Sequence, residues 1–134
     1  MKIKNGKLEV ADVLGNRFSE EALSFAKALT VKKAEDITLI DVSELTIIAD
    51  YFIIASGRST TQVKSICDEM IVEMEKLNFK PIRKEGYNAG RWIVVDYGDF
   101  LIHIFHKEER EFYNIERLWV NNDNKLDYAA SEND

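Results

Sequence analysis

Two histidines and two aspartates lie near one another in the chain, and these residue types can bind metal ions or exchange protons. Asp96, Asp99, His103 and His106 all fall within residues 96–106. A metal site needs three or four convergent ligands. If residues 100–106 form a strand, the two histidines point to opposite faces, because side chains alternate along a strand. We therefore predict hydrogen-bonded structural histidines and no metal site.

The segment ASGRSTTQ, residues 55–62, has some features of an anion site. A strand ends, Gly57 turns the chain, and a helix begins with hydroxyl side chains, an arrangement that can bind phosphate. The segment lacks both glycine-rich phosphate-binding patterns, G-x-x-x-x-G-K-[ST] and G-x-G-x-x-G. Turn formation and helix capping explain Gly57, Ser59 and Thr60 without a ligand. Nucleotide binding at the turn Gly57–Thr61 is therefore the alternative and not the first choice.

No other residues form a recognisable catalytic set. Cys67 lies in an apolar stripe of helical spacing, which predicts a buried thiol and no nucleophile. As the single cysteine, it cannot form an internal disulfide or a cysteine-based zinc site, which favours a reducing, cytoplasmic setting. No serine lies in a G-x-S-x-G motif. We predict no catalytic residues and no cofactor.

Hydrophobic periodicity predicts the elements that must position these residues. Apolar stripes that follow capping residues predict three helices, over 19–29, 59–77 and 108–119. Apolar runs predict five strands, over 36–42, 50–56, a short segment within 81–86, 92–97 and 100–106. The helix 59–77 should connect strands that run parallel.

The last two predicted strands form a hairpin around Gly98 and Asp99. Tyr97 then pairs with Phe100, which assigns every side chain of the hairpin to one of two faces. The first face is apolar and predicts a core: Ile93, Val95, Tyr97, Phe100, Ile102 and Ile104. The second face carries two titratable side chains: Trp92, Val94, Asp96, Leu101, His103 and Phe105. Either a helix covers this second face, or part of it stays exposed and binds a partner.

Length and composition predict one domain. A chain of 134 residues with 46% hydrophobic residues can bury a core. No stretch has the length and apolar character of a transmembrane helix, and the start of the chain lacks a secretory signal pattern. We predict a single α/β domain over 18–119, with a mixed sheet of about five strands packed by three helices. Residues 1–17 are predicted to be a flexible arm, and residues 120–134 an acidic disordered tail.

The charge distribution favours a protein partner over nucleic acid. The chain carries 18 basic and 24 acidic side chains, a net charge of −6. Residues 18–119 contribute −5, residues 120–134 contribute −3, and residues 1–17 contribute +2. Proteins that bind nucleic acid through its phosphates are normally basic, so we expect no direct sequence-specific nucleic-acid contact. An acidic body suits a basic protein partner.

Two longer segments resemble a known family. They are DYFIIASGRSTTQVKSICDE, residues 50–69, and EGYNAGRWIVVDYGDFLIHIFHKEEREFYNIERLW, residues 85–119. In the order and spacing of several motifs, including W-VVDYGD and R-EFYNIERLW, they resemble the ribosomal silencing factor family, also called Iojap-like or RsfS proteins. The resemblance covers residues 19–119.

The resemblance implies a function that composition alone does not. Members of the family bind the large ribosomal subunit by docking on its L-fourteen protein, and the bound factor sterically blocks joining of the small subunit and lowers translation. The family fold is similar to that of nucleotidyltransferases but lacks their catalytic G-S and paired-Asp pattern, as this chain does. The resemblance therefore implies a cytoplasmic translational repressor that is not an enzyme and that can form a homodimer. A nucleotidyltransferase-like enzyme and a large-subunit assembly factor are the alternatives.

The resemblance also indicates which residues bind the partner. Trp92 matches the tryptophan of the family's W-V-V-D motif and is expected to be the anchor. The other matching residues lie in the EG pair, the D-Y-G-D turn, the following strand and the start of the last helix: Glu85, Gly86, Asp96, Tyr97, Asp99, His103, Arg110 and Tyr113.

Overall fold

Over its described residues, the chain forms one mixed sheet with four helices. The computed structural model describes residues 17–128. The helices are α1 (Glu20–Leu29), α2 (Thr60–Glu75), α3 (Lys107–Tyr113) and α4 (Glu116–Trp119). The strands are β1 (Glu35–Asp41), β2 (Tyr51–Gly57), β3 (Arg83–Glu85), β4 (Trp92–Asp96), β5 (Phe100–His106) and β6 (Lys125–Asp127). In the part of the chain covered by these elements, no helix has the length and apolar character to cross a membrane.

The two long helices begin at the capping residues that the sequence indicates. The Ser19 hydroxyl accepts a hydrogen bond from the Ala22 N–H over 3.1 Å, and the Ser59 hydroxyl accepts one from the Gln62 N–H over 3.0 Å. Each bond satisfies an N–H that has no partner within its helix. The predicted starts of α1 and α2 are therefore confirmed.

The sheet has the strand order β3-β4-β5-β2-β1-β6. β2 and β5 are parallel neighbours, and every other neighbouring pair is antiparallel. The hairpin register is confirmed, because Trp92 pairs with Phe105 and Asp96 pairs with Leu101. The predicted α/β class with a mixed sheet is likewise confirmed. β2 and β3 run in the same direction, as predicted for strands joined through α2, although two other strands lie between them.

A sixth strand corrects the disorder predicted for residues 120–134 over the part that the structure describes, residues 120–128. β6 pairs with β1 through Leu39 and Leu126, and Leu126 packs against the core. Asn124 is fully buried, and its side-chain amide donates to the carbonyl oxygens of Asp41 and Trp119. These long-range bonds hold a segment whose polar composition predicts no structure. Residues 129–134, like residues 1–16 of the predicted arm, lie outside the described part of the chain.

The first face of the sheet carries the main core beneath α1 and α2. The hairpin side chains predicted for this face, Ile93, Val95, Ile102 and Ile104, are fully buried. Phe25 of α1 packs against the Phe100 ring, with a centroid distance of 4.8 Å. The alternation of the hairpin therefore decides which surface the two long helices cover.

The second face is covered by shorter elements. The helix predicted over 108–119 is instead two helices, because Asn114 adopts the left-handed conformation with φ of 44° and ends α3. The break separates residues predicted to share one stripe: Phe112 is 80% exposed, whereas Ile115 and Trp119 pack on the second face. The buried residues of this smaller cluster are Ile40, Val42, Ala49, Phe52, Ile54 and Phe105.

Candidate docking surface

The second face of the sheet is covered over β1 and β2 and remains partly open over β4. Trp119 of α4 packs on Phe52 of β2, with a ring-centroid distance of 5.0 Å. In the hairpin, the side chains of this face are partly exposed at Trp92, Val94, Asp96 and Leu101, and Glu85 of β3 is exposed beside Val94. We call these five residues the sheet surface. The cover predicted by the first interpretation is therefore present over one half of this face, and the exposure predicted by the second is present over the other half.

Trp92 is held in place from three directions. Its indole N–H donates to Nδ1 of His103 over 3.2 Å. Its ring stacks on Phe105 with a centroid distance of 4.7 Å, and Tyr113 lies against it at 4.9 Å. These contacts fix the ring while part of it stays accessible, so a partner would meet a large side chain that is already ordered.

His103 lies beneath this indole and is 6% exposed. Burial lowers its pKa to about 4, so the imidazole is neutral at pH 7. Because Nδ1 accepts the indole N–H, the ring proton must lie on Nε2. Within residues 17–128, Nε2 has no hydrogen-bond partner. His103 therefore has the predicted structural role: it is buried beneath Trp92 and positions the indole.

Acidic groups lie along the edge of the sheet surface. Asp96 accepts a hydrogen bond from the Gly98 N–H over 2.8 Å and pairs with Arg83 at 3.3 Å. Asp99 and Glu85 are exposed, and neither carboxylate has an ion-pair partner in the described chain. Two acidic side chains therefore remain available to a basic partner, one at the hairpin turn and one on β3.

Comparison with known proteins decides the family. The sequence profile described as "Ribosomal silencing factor during starvation" matches residues 16–134. The chain belongs to the ribosomal silencing factor family. It is 40% identical over 94 residues to the ribosomal silencing factor RsfS of Bacillus subtilis, covering 70% of this chain and 80% of that one.

Two further comparisons extend this assignment. A crystal structure of a protein from Chromobacterium violaceum superimposes with a TM-score of 0.72 at 33% identity, covering 75% of this chain and 83% of that one. The mouse protein named "Mitochondrial assembly of ribosomal large subunit protein 1" is 32% identical over 127 residues, covering 91% of this chain and 55% of that protein. The fold and the sequence therefore place this silencing factor among the same relatives.

Besides the buried His103, three of the residues expected to bind a partner make internal contacts. Gly86 has a φ of 83°, and a Cβ added there would overlap the carbonyl oxygen of Trp92. Tyr97 lies on the first face, where its ring packs edge-on against Phe25 at 4.7 Å and burial raises its pKa. Their resemblance to the family pattern is explained by turn geometry and packing.

Arg110 is the third such residue, and it clamps α3 to the sheet. Its guanidinium donates to the Ser56 hydroxyl over 2.9 Å and to the Thr38 hydroxyl over 3.1 Å. It also pairs with Glu116 at 2.9 Å and donates to the carbonyl oxygen of Asp36. The side chain is 11% exposed and lines an open polar cavity of about 470 Å³. With every N–H engaged, Arg110 has no donor left for a partner.

Two further residues of the sheet surface, Val94 and Leu101, are not among the residues predicted to bind a partner. Both are apolar, partly exposed and on the sheet surface beside Trp92 and Asp96. The signal that could have found them is strand alternation, which already placed them on the second face. Neither residue carries an aromatic ring or a charge that would single it out, although an interface centre is largely apolar.

The sequence indicates two other candidate sites, the turn after β2 and Cys67. In the turn after β2, the Gln62 side chain accepts from the Arg58 N–H over 2.7 Å and donates to the carbonyl oxygens of Lys32 and Lys33. Cys67 is buried, and burial raises the pKa of its thiol to about 11. Capping of α2 and a core thiol therefore account for both features.

One cluster has ligand atoms close enough for a metal ion. His106, Glu108 and Glu109 offer three such atoms within 4.8 Å of one another. However, Arg91 pairs with Glu108 at 3.1 Å and with Glu109 at 2.6 Å, and His106 Nδ1 accepts from the Glu108 N–H. A cation would compete with a guanidinium for both carboxylates, so the cluster is better suited to its internal ion pairs.

Proposed function

We propose that this protein binds the large ribosomal subunit through the sheet surface, docks on the L-fourteen protein, and blocks joining of the small subunit. The observation that carries the proposal is Trp92, an ordered and partly exposed indole on an open sheet face. Large aromatic side chains of this kind supply much of the binding energy at protein interfaces. The family name and the name of the mouse relative support a ribosomal partner.

The charge of the surface fits the proposed partner. The domain is acidic, and Glu85 and Asp99 are exposed at two borders of the sheet surface. Ribosomal proteins are typically basic, so these acids would speed encounter and orient the complex. Trp92, Val94 and Leu101 would then exclude water at its centre. Repression follows by occlusion and requires no chemistry, so we propose that the protein acts as a repressor in the cytoplasm and not as an enzyme.

Co-sedimentation tests the binding step. The purified chain is centrifuged with isolated large subunits, isolated small subunits and joined ribosomes at near-physiological salt. We expect binding to free large subunits alone, and fewer joined ribosomes when the protein is added before the small subunit. Absence of binding to large subunits would overturn the proposal. The docking site is tested by binding of the purified chain to the isolated L-fourteen protein. This binding should be lost when the chain carries Trp92→Ala.

A second candidate function is large-subunit assembly, which the name of the mouse relative favours. Both functions use the same surface and differ in the particle that is bound. Sedimentation of particles from growing cells distinguishes them: an assembly factor accompanies incomplete large subunits, whereas a silencing factor accompanies mature ones.

The remaining alternative is a nucleotide-binding, nucleotidyltransferase-like enzyme. A thermal-shift screen with nucleotides and magnesium tests it, since a bound nucleotide would raise the melting temperature of the protein.

A further inference from the structure

The loop between β1 and β2 presents three large aliphatic side chains to solvent. Leu45 is 48% exposed, Ile48 is 61% exposed and Ile47 is fully exposed. Single exposed aliphatic residues are common and need no explanation. Three of them within four residues form an apolar tip that is unfavourable in water. We call Leu45, Ile47 and Ile48 the loop tip.

The loop is ordered by its own hydrogen bonds. The Val42 N–H donates to the Asp50 carbonyl oxygen over 2.9 Å and closes the base of the loop. The Val42 carbonyl oxygen in turn accepts from the N–H groups of Leu45 and Thr46, and the Thr46 hydroxyl accepts from the Ile48 N–H. The outward direction of the loop tip is therefore built into the fold, and little entropy remains to be lost on binding.

The loop adjoins the sheet surface. Val42 and Ala49 are buried in the smaller cluster of the second face, so the loop is anchored in the core beneath that face. The N–H groups of Asp50 and Tyr51 both donate to the Asp99 carbonyl oxygen, over 2.8 and 3.0 Å. The loop therefore lies at the hairpin-turn end of the sheet surface, and Trp92 lies at the other end of β4.

Distance and charge together indicate what the loop tip binds. β4 spans roughly 13 Å from Trp92 to Asp96, at about 3.3 Å per residue. A standard interface buries about 800 Å² per partner, which needs more than one short strand. Around the loop tip, the carboxylates of Glu44, Asp50 and Asp99 are exposed and have no partner in residues 17–128. An apolar tip within acidic groups complements an apolar hollow with a basic rim.

We propose that the loop tip is a second contact element of the docking surface, and that it enters an apolar, basic-rimmed hollow on a protein of the large subunit. This inference rests on the proposed function. Trp92 and the loop tip then hold the partner at two points on opposite ends of β4. Two separated contacts fix the orientation of the bound factor, which occlusion of the small subunit requires.

The test replaces the loop tip and measures affinity for purified large subunits. The variant Ile47→Ser with Ile48→Ser is compared with a matched control, Val31→Ser with Leu77→Ser, whose residues are 49% and 52% exposed and follow the two long helices. Because all four side chains are exposed, both variants should keep the melting temperature of the unchanged protein. We expect the loop variant to bind about tenfold more weakly or worse, and the control to bind normally.

The outcomes separate this inference from the proposed function. If the unchanged protein binds and the loop variant binds equally well, the loop inference is wrong and the docking proposal stands. If the unchanged protein does not bind large subunits, both fail. Sedimentation velocity of the free protein gives a further check: a loop variant that loses a homodimer but keeps full subunit affinity would show that the loop contacts a second copy, which also overturns the inference.

Discussion

The indole N–H of Trp92 donates to Nδ1 of His103 across 3.2 Å, joining the aromatic residue of the sheet surface to a histidine that is 6% exposed. The two residues lie on neighbouring strands, where Trp92 pairs with Phe105 and His103 pairs with Val94. The proposed anchor, Trp92, is thus oriented by a group that is buried beneath it. This relationship explains how a histidine of the family pattern can serve binding without contacting the partner.

Replacing His103 should therefore disturb Trp92. His103→Leu removes the acceptor and leaves the indole N–H unpaired, so we expect a loss of about 1–3 kcal/mol in the free energy of unfolding. His103→Asn keeps an oxygen near the position of Nδ1 and should restore part of this loss. The measurement is chemical denaturation together with Trp92 fluorescence in a Trp119→Phe background. Identical Trp92 emission spectra in all three proteins would contradict the positioning role.

The buried imidazole also predicts how stability depends on pH. In the folded protein the pKa of His103 is about 4, below its usual value of 6.5. Between these values the unfolded chain binds a proton that the folded chain does not, so stability falls as pH drops from 6.5 toward 4. The full effect is about 3 kcal/mol, at 1.36 kcal/mol for each unit of pKa shift.

Denaturation at several pH values between 4.5 and 7 measures this dependence. The control is His103→Asn, which lacks the titrating group and should show a flatter profile over the same range. Carboxylates with lowered pKa values, such as Asp41 and Glu109, affect stability mainly below this window. Equal slopes for the two proteins would show that His103 does not titrate as its burial requires.

Trp92→Ala should weaken binding to the large subunit by about 2–4 kcal/mol, the range of interface hot spots. The indole is partly exposed, so the variant should still fold, which circular dichroism and thermal unfolding would verify. Leu77→Ala is the control, because Leu77 is a 52% exposed apolar residue after α2. Binding is measured by co-sedimentation over a range of subunit concentrations. A folded Trp92→Ala protein with unchanged affinity would remove Trp92 from the interface.

Asp99→Lys should act mainly on the rate of association. The side chain is exposed and its carboxylate has no ion-pair partner among residues 17–128, so its charge is available to steer a basic partner. We expect slower association and a weaker dependence on salt, with little change in dissociation. Glu75→Lys makes the same charge change at an exposed position at the end of α2. Similar effects from both variants would indicate that only net charge matters.

Arg110 gives a prediction of the opposite kind, affecting stability and not binding. Arg110→Met leaves Glu116 and the hydroxyls of Thr38 and Ser56 without their donor, which should cost about 3 kcal/mol of folding stability. Arg58→Met is the control, because that side chain is 76% exposed and its one ion-pair partner among residues 17–128 is Glu35. Thermal unfolding measures both. A variant of normal stability that fails to bind large subunits would return Arg110 to the docking site.

Much of the fold follows from local patterns in the sequence. Capping at Ser19 and Ser59 depends on bonds to residues three positions away, so neighbouring residues suffice to predict it. The alternation through 92–106 assigns the hairpin faces because side chains in a strand must alternate. The motifs W-VVDYGD and R-EFYNIERLW were also enough to recognise the family. Each of these conclusions depends on spacing along the chain, which the sequence contains directly.

Only the tertiary structure decided which part of the second face stays open. The left-handed turn at Asn114 ends α3. Arg110 bonds to residues more than fifty positions away, and β6 pairs with β1. These contacts pull the short helices over β1 and β2 and leave Trp92 partly exposed. The free energy of the Arg110 and β6 contacts comes from groups that are distant in sequence and meet only in the folded chain. The sequence by itself therefore determined the family and most of the elements, while the tertiary structure decided β6, the break between α3 and α4, and the open surface.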